Sequence, residues 1–358
     1  MGKDFVFFPE EETMEADLWS LYRQMLRSRL FEEKVLELWN AGHISGEMHL
    51  GLGEEAISAG VVSHLQEGDA MALDHRGTPP LVMRGIDLIS LLRELLGFED
   101  GLCGGWGGHM HLFSQELLAA STGIVGATGP MGVGFALSAQ LLRPHKIAVA
   151  FFGEGSVNQG MVMESLNLAV VWNLPVLFVC KDNALSITTY SPSVTGGNLL
   201  ERARSFGMIA RDVDGTDVEL VWSCAGEITR EMRDQNGPAF ILARCAHFEG
   251  HMLGDPLLRV VRHPLQRGKE ISGGLVRATL SKKGIPRDDR MKNLWTIASL
   301  LKRSAAGQKK KGNDPIYIAR QKLLKDRSHL DQIEKDVKEE IDEALKAALL
   351  TVERDGGN

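Results

Sequence analysis

Cysteine is scarce in this chain. Cys103, Cys180, Cys224 and Cys245 include no CxxC pair, so neither a zinc site nor a disulfide framework is expected, and buried thiols are the simplest reading. No apolar run approaches the length of a membrane-spanning helix, so no membrane association is expected. Residues 1–15 are acidic and lack the basic and apolar regions of a signal or transit peptide, which leads us to expect a cytoplasmic protein. A cationic surplus is missing too: the net charge of −7 argues against nucleic acid as the main partner. What is present is apolar material, 44% of 358 residues, enough for one large α/β domain with appendages or for two domains.

The chain is organised around residues 147–183. Residues 147–152 form an apolar run of strand length, as expected of a strand covered on both faces of a parallel sheet. Gly153-Glu154-Gly155 breaks the run, and from about residue 158 to 172 the apolar side chains recur at helical spacing (Met161, Leu168, Val171, Trp172). Leu174-Pro175 stops that helix and residues 176–180 make a second strand. This βαβ unit places Glu154 and Asn183 at the carboxyl ends of two strands, where open α/β sheets bind ligands. A carboxylate and an amide oxygen suit a hard cation such as Mg2+ bridging to phosphate, and the glycines allow close approach of a diphosphate. On the residues alone, a plain strand-to-helix turn with Asn183 as a turn residue is an equal alternative.

The words Gly153-Glu154-Gly155-Ser156-Val157-Asn158-Gln159-Gly160, Glu164-Ser165-Leu166-Asn167-Leu168-Ala169, Trp172-Asn173-Leu174-Pro175 and Asp182-Asn183 closely resemble the thiamine diphosphate motif of 2-oxo acid dehydrogenase E1 α subunits. That family includes the α subunits of the pyruvate, branched-chain 2-oxo acid and acetoin dehydrogenases. The resemblance implies that Gly153, Glu154, Gly155 and Ser156 border the cofactor, and that Glu154, Asn183 and the backbone carbonyl of Leu185 ligate Mg2+. The family's acid is nearly always Asp; the extra methylene of Glu154 moves the carboxylate outward by about 1.5 Å, one C–C bond.

The rest of the chain fits the same frame. Residues 16–41 read as a helix with Leu18, Leu21, Tyr22, Met25, Phe31, Val35 and Leu38 on one stripe, and a second helix is expected over 55–66. Asp74-His75-Arg76-Gly77 follows the apolar run 70–73. An Arg leaving a strand can meet phosphate with its fork, a surface Arg being the alternative. The resemblance implies that His75-Arg76 contacts the diphosphate, in a form most like acetoin-type α subunits. The family then continues His-Gly-His, whereas this chain has Thr78-Pro79-Pro80, so a histidine facing the site is expected to be missing. After a helix over 87–96, the glycines of residues 101–111 make a loop whose backbone approaches something closely. This loop resembles the family's Gly-Lys-Gly-Gly-Ser-Met-His, with Trp106 for Lys and His109 for Ser; His109 and His111 read as structural hydrogen-bonders rather than metal ligands. Backbone groups of Gly123 and Val125 are implied to bond the aminopyrimidine, ahead of a helix from about 131 to 142.

Beyond Asn183, residues 186–198 read as an ordered loop over the site. Residues 213–217 read as a turn, with Asp217 as N-cap of a helix through Met232, followed by a strand over 240–244. Residues 247–256 resemble the family's His-Gly-His-Ser-Met-Ser-Asp-Pro loop, and His251 takes the place of the catalytic histidine that faces the reacting thiazolium carbon. The regulatory Ser is replaced by Met252, so phosphorylation control is not expected. The cationic stretch 259–311 reads as a flexible solvated linker, with a docking surface for an acidic partner as the alternative. Ile333, Val337, Ile341 and Leu345 then mark a final helical hairpin.

The expected organisation is a helical extension (1–45), an α/β thiamine diphosphate-binding domain with a mostly parallel sheet flanked by helices on both faces (46–256), a basic insertion (257–313) and a helical segment (314–358). In two-chain family members the Glu that protonates the aminopyrimidine comes from a β subunit, and nothing after residue 256 looks able to supply that second α/β domain. The resemblance therefore implies half an enzyme. Its partners would be an E1 β subunit in an α2β2 heterotetramer and a lipoyl-bearing acyltransferase (E2), and its substrate a 2-oxo acid or acetoin. Two other readings stay open: a degenerate α subunit kept for binding a β-like partner, and a thiamine-dependent carboligase or non-lipoyl acyl transferase.

Overall fold

The computed structural model describes residues 16–187, 189–262, 273–274, 277, 286–306 and 310–350. Its strands, in chain order, are β1 (Ala70–Leu73), β2 (Phe113–Ser114), β3 (Ala119–Ser121), β4 (Ala148–Gly153), β5 (Val176–Asp182), β6 (Leu185–Ser186), β7 (Thr189–Tyr190), β8 (Ile209–Asp214) and β9 (Ala239–Arg244). Seven of them form one sheet in the order β2-β3-β1-β4-β5-β9-β8, parallel except for the edge strand β2, while β6 and β7 pair as a separate short ribbon. The apolar runs of β4 and β5 sit at the centre. Their side chains alternate, Val149, Phe151, Leu177 and Val179 entering one core and Ala148, Ala150, Phe152, Phe178 and Cys180 the other. Burial on both faces is why these runs carry no polar alternation.

On one face lie α1 (Leu18–Asn40), α2 (Glu55–Val62), α4 (Leu88–Leu95) and α8 (Val218–Gln235); on the other lie α5 (Thr128–Leu142), α6 (Gly160–Val171) and α7 (Leu199–Ser205). Asp17 caps α1 by accepting from the amides of Trp19 and Ser20, and Asp217 caps α8 by accepting from Glu219. The C-terminal hairpin, α11 (Pro315–Leu323) and α12 (Arg327–Leu350), buries Ile333, Val337 and Ile341 in the same core as α1. Polar ties lock it there: Arg29, buried, meets Glu55 at 2.5 Å and Asp314 at 3.0 Å, and Tyr22 donates to Glu334 at 2.8 Å. No described helix is long and apolar enough to cross a membrane.

Four local expectations need correction. Residues 209–214 form a strand, β8, and the turn follows at Gly215. The helix expected from 131 begins at Thr128, and the one expected to reach 66 ends at Val62. Thr78-Pro79-Pro80 opens a helix, α3 (Thr78–Arg84), with prolines in the first turn, where the missing amide costs nothing. Within the basic stretch α9 (Pro256–Arg262) and α10 (Arg287–Ala306) are helical, and most of the stretch between them lies outside the described residues.

Candidate active site

A cavity of about 250 Å³ opens at the carboxyl ends of the parallel strands, the position where such sheets leave room between diverging loops. His75 and Arg76 reach it from the end of β1, Gly123 and Val125 from β3, Gly153, Glu154, Gly155 and Ser156 from β4, Asn183 and Leu185 from β5, and His251 from the loop after β9. Every residue that the sequence assigned to the cofactor, the metal or catalysis thus lines one cavity.

On the β4–β5 side the donors are oxygens. Glu154 is buried and accepts from Ser191 Oγ. Burial pushes its carboxyl up, Ser191 opposes this, and Asp182 adds to the rise. Asn183 Oδ1 accepts from the Leu185 amide at 2.8 Å, and Asp182 Oδ1 from Ala184 at 2.8 Å, which turns the chain sharply after β5. Ala184 has a φ of 60° in that turn, and Ile187 one of 53° in the next, between β6 and β7, a conformation costly for a β-branched residue. Gly155 is required by packing, since a Cβ there would lie 2.6 Å from Ser186 Oγ. A carboxylate, an amide oxygen and a carbonyl on one wall match a hard divalent cation. His75 Nε2 and Thr128 Oγ1, both on residues lining the cavity, are buried with no hydrogen-bond partner among the described residues, as suits a cavity shaped for a polar guest. The residues present therefore fit thiamine diphosphate with its Mg2+.

Beneath the cavity lies a charge network that the sequence reading did not assign. Lys181, fully buried at the end of β5, meets Glu54 at 2.6 Å and Asp74 at 3.0 Å, and the other oxygen of Glu54 meets His247 Nε2. Burial opposes both charges. Even so, Lys181, with His247 and Arg76, holds Glu54 well below the usual carboxylate range, and Asp74 and Glu54 hold Lys181 well above its own. A lysine ending an otherwise apolar central strand was the available signal, because a buried cation needs partners. Arg76 is buried rather than a surface residue. It donates to the carbonyls of Leu50 and His251, the latter at 2.6 Å, and so ties two loops of the site together.

Imidazoles fill the other wall. His49 and His75 meet edge to face at 4.7 Å between centroids, His49 and His251 at 5.0 Å, and His75 and His251 at 5.5 Å. Burial, mutual repulsion and Arg76 lower them: His75 falls to about 3 and His251 to about 4, with His49 also strongly depressed. At neutral pH each is uncharged, offering one N–H and one lone pair. His49 was not foreseen. The Thr78-Pro79-Pro80 segment does not line the cavity, but a third imidazole comes instead from the loop before α2, which packs on Pro79: a Cβ on Gly51 would lie 2.6 Å from Pro79 Cγ. Behind His49 stands His109, on the glycine-rich loop. Buried Glu94 clamps that loop by accepting the amides of Cys103 (2.6 Å), Gly105 (2.8 Å), Gly107 (2.7 Å) and Gly108 (3.0 Å).

Residues 23–264 match the dehydrogenase E1 component family. The chain is 39% identical over 243 residues to the α subunit of acetoin:2,6-dichlorophenolindophenol oxidoreductase from Cupriavidus necator, covering 66% of this chain and 72% of that one. The Bacillus subtilis protein of the same name is 38% identical over 245 residues, covering 68% and 73%. Pyruvate dehydrogenase E1 component subunit alpha from Rhizobium meliloti is 33% identical over 296 residues, covering 82% and 85%. With most of its length matched, including every strand of the main sheet, the chain belongs to the dehydrogenase E1 component family of oxidoreductases.

Proposed function

We propose that this chain is the α subunit of a thiamine diphosphate- and Mg2+-dependent E1 that acts on a 2-oxo acid or acetoin and passes the acyl group to a lipoyl group on a partner acyltransferase. One observation carries the reading: loops after five different strands deliver the motif residues to a single cavity. Glu154, Asn183 and the Leu185 carbonyl would hold Mg2+. His75 and Arg76 would face the diphosphate, and the backbone of Gly123 and Val125 the aminopyrimidine. When bound, thiamine diphosphate supplies the electron sink for breaking a bond next to a carbonyl. The chain's own contribution is positional and protic. Neutral His251, His75 and His49 can each donate a hydrogen bond to a carbonyl oxygen or take up a proton.

A β partner suits the rim. Ile124, Val125 and Ile187 line the cavity yet are 62%, 54% and 53% exposed, an apolar edge that a protein partner would cover. The test is calorimetric titration of thiamine diphosphate and Mg2+ into the chain co-expressed with its β partner, followed by turnover of 2-oxo acids and acetoin. Micromolar binding abolished by Asn183→Ala, with turnover in the wild type, is expected. Absence of binding in the wild type that Glu154→Asp restores would replace this reading with that of a non-catalytic partner subunit.

A further inference from the structure

The three imidazoles facing the cavity are backed by a fourth that does not line it. His109 is buried, and its Nε2 lies 2.9 Å from His49 Nδ1, with the rings 5.2 Å apart between centroids and inclined by 21°. Two neutral imidazoles joined in this way share one hydrogen, one ring donating and the other accepting. His49 Nδ1 is thereby committed, and only its Nε2 is left for the cavity. We propose that His109 is a positioning residue that holds His49 in one orientation and couples the tautomer of His49 to its own, so that the cavity meets a fixed Nε2 beside His75 and His251. This deepens the reading of the cavity given above and rests on it.

Three features of the surroundings support the assignment. His109 follows the loop whose amides Glu94 clamps, so its ring projects from a pinned backbone rather than a free one. His49 is wedged on its other sides by the edge contacts to His75 and His251, with interplanar angles of 83° and 81°, so it cannot turn without displacing them. The carbonyl of Leu50, next along the chain, accepts from Arg76, which fixes the backbone from which His49 projects. The titratable groups facing the pair are His75, Arg76 and His251 toward His49, and Arg76 and His111 toward His109; Glu47 and Glu54 line the same cavity. The bond couples the two rings: His49 carries its proton on Nδ1 when His109 Nε2 accepts, and on Nε2 when His109 Nε2 donates.

The experiment uses the complex with its β partner, thiamine diphosphate and Mg2+. His109→Ala is expected to lower kcat by about tenfold or more, the scale on which orienting partners of histidine act. The substrate KM and the cofactor affinity should stay within about twofold, as for a residue that touches neither. The acid limb of the kcat/KM profile should move to higher pH, because water admitted beside His49 lets that ring protonate more easily. His109→Gln, whose amide can donate or accept, should recover most of the rate. A residue that merely fills space would be replaced as well by the apolar His109→Leu as by His109→Gln. Wild-type kcat and pH profile in His109→Ala, or equal impairment in His109→Gln, would overturn the assignment. If the wild-type complex turns over no substrate, the functional reading fails by itself, and long-range nitrogen–proton NMR correlations on the full chain then decide. A His49 tautomer balance that shifts in His109→Ala sustains the role of His109, and identical spectra overturn it.

Discussion

Lys181 Nζ lies 2.6 Å from Glu54 Oε2 although 127 positions separate the two residues, and both are buried. The bond joins the end of the central strand β5 to the loop entering α2, and with Asp74 at 3.0 Å from Lys181 and Arg76 at 4.0 Å from Glu54 the floor of the cavity matches two cations to two carboxylates. Such a pair is no bonus over apolar packing, but breaking it from one side strands a charge.

Lys181→Met should therefore destabilise the chain by about 3–5 kcal/mol, and adding Glu54→Gln should recover part of that loss. Denaturant midpoints of the single and double variants measure both. The pH dependence follows from the signs. Glu54 is depressed below its ordinary 4.5 and Lys181 raised above 10.5, so the pair contributes fully between those values. Its contribution is lost only as pH falls through the folded Glu54 value or rises through that of Lys181. A midpoint difference between wild type and Lys181→Met that varied between pH 6 and 9 would contradict this.

The histidine wall gives a slope of the same sign as the acid limb of Glu54, but at higher pH. His75 and His251 are lowered from 6.5 to about 3 and about 4, so below pH 6.5 the unfolded chain binds protons that the folded chain refuses. Stability should fall as pH drops from 6.5 and level off near the folded values. His75→Gln and His251→Gln should each flatten that slope. Chemical denaturation across pH 4 to 7 reads it directly, and parallel curves for wild type and variants would refute the assignment of neutral imidazoles.

Gly155 and Ser186 make a third case. A Cβ at 155 would lie 2.6 Å from Ser186 Oγ and 3.1 Å from its Cβ, so Gly155→Ala must push the turn that carries Asn183 and Leu185. Mg2+ demands near-ideal geometry, so we expect cofactor affinity to fall by about tenfold, with only a small change in thermal stability. Gly155→Ala with Ser186→Ala should recover part of the affinity, since the hydroxyl is the nearer of the two contacts. Calorimetric titration of the single and double variants checks both points.

Legibility in the sequence followed burial. β4, β5 and α6 were readable because a central parallel strand is apolar on both faces and its crossover helix is bracketed by a glycine turn and Leu174-Pro175. β8 was not, because it is an edge strand: Arg211, Asp212 and Asp214 are exposed, and only Ala210 and Val213 are buried. The cavity residues at strand ends were found through their motif wording. His109 was read as a structural hydrogen-bonder and does bond His49, but that partner, like the roles of Glu54, His49 and Glu94, was missed because it is set by tertiary contact and not by any local period. Glu94 is the sharpest example, a buried acid on α4 whose role depends on amides nine to fourteen positions away in a loop with no regular repeat.

That clamp supplies the last prediction. Both carboxylate oxygens of Glu94 are used, Oε2 by Cys103 and Gly105 and Oε1 by Gly107 and Gly108. Gly101 packs against the same residue, a Cβ there meeting the Glu94 backbone at 2.6 Å. Glu94→Gln keeps the size but replaces one acceptor oxygen with an NH2 donor, which faces two amide N–H groups and must turn away from them. A hydrogen bond to a charged group contributes about 1.5–3 kcal/mol, so we expect a loss on the order of 3 kcal/mol, confined to this loop. Hydrogen exchange of the 103–108 amides should accelerate while the amides of β4 and β5 keep their protection. Because His109 follows directly on this loop, the same variant should also shift the His49 tautomer balance. Unchanged exchange at 103–108 would show that the loop is held by something other than Glu94.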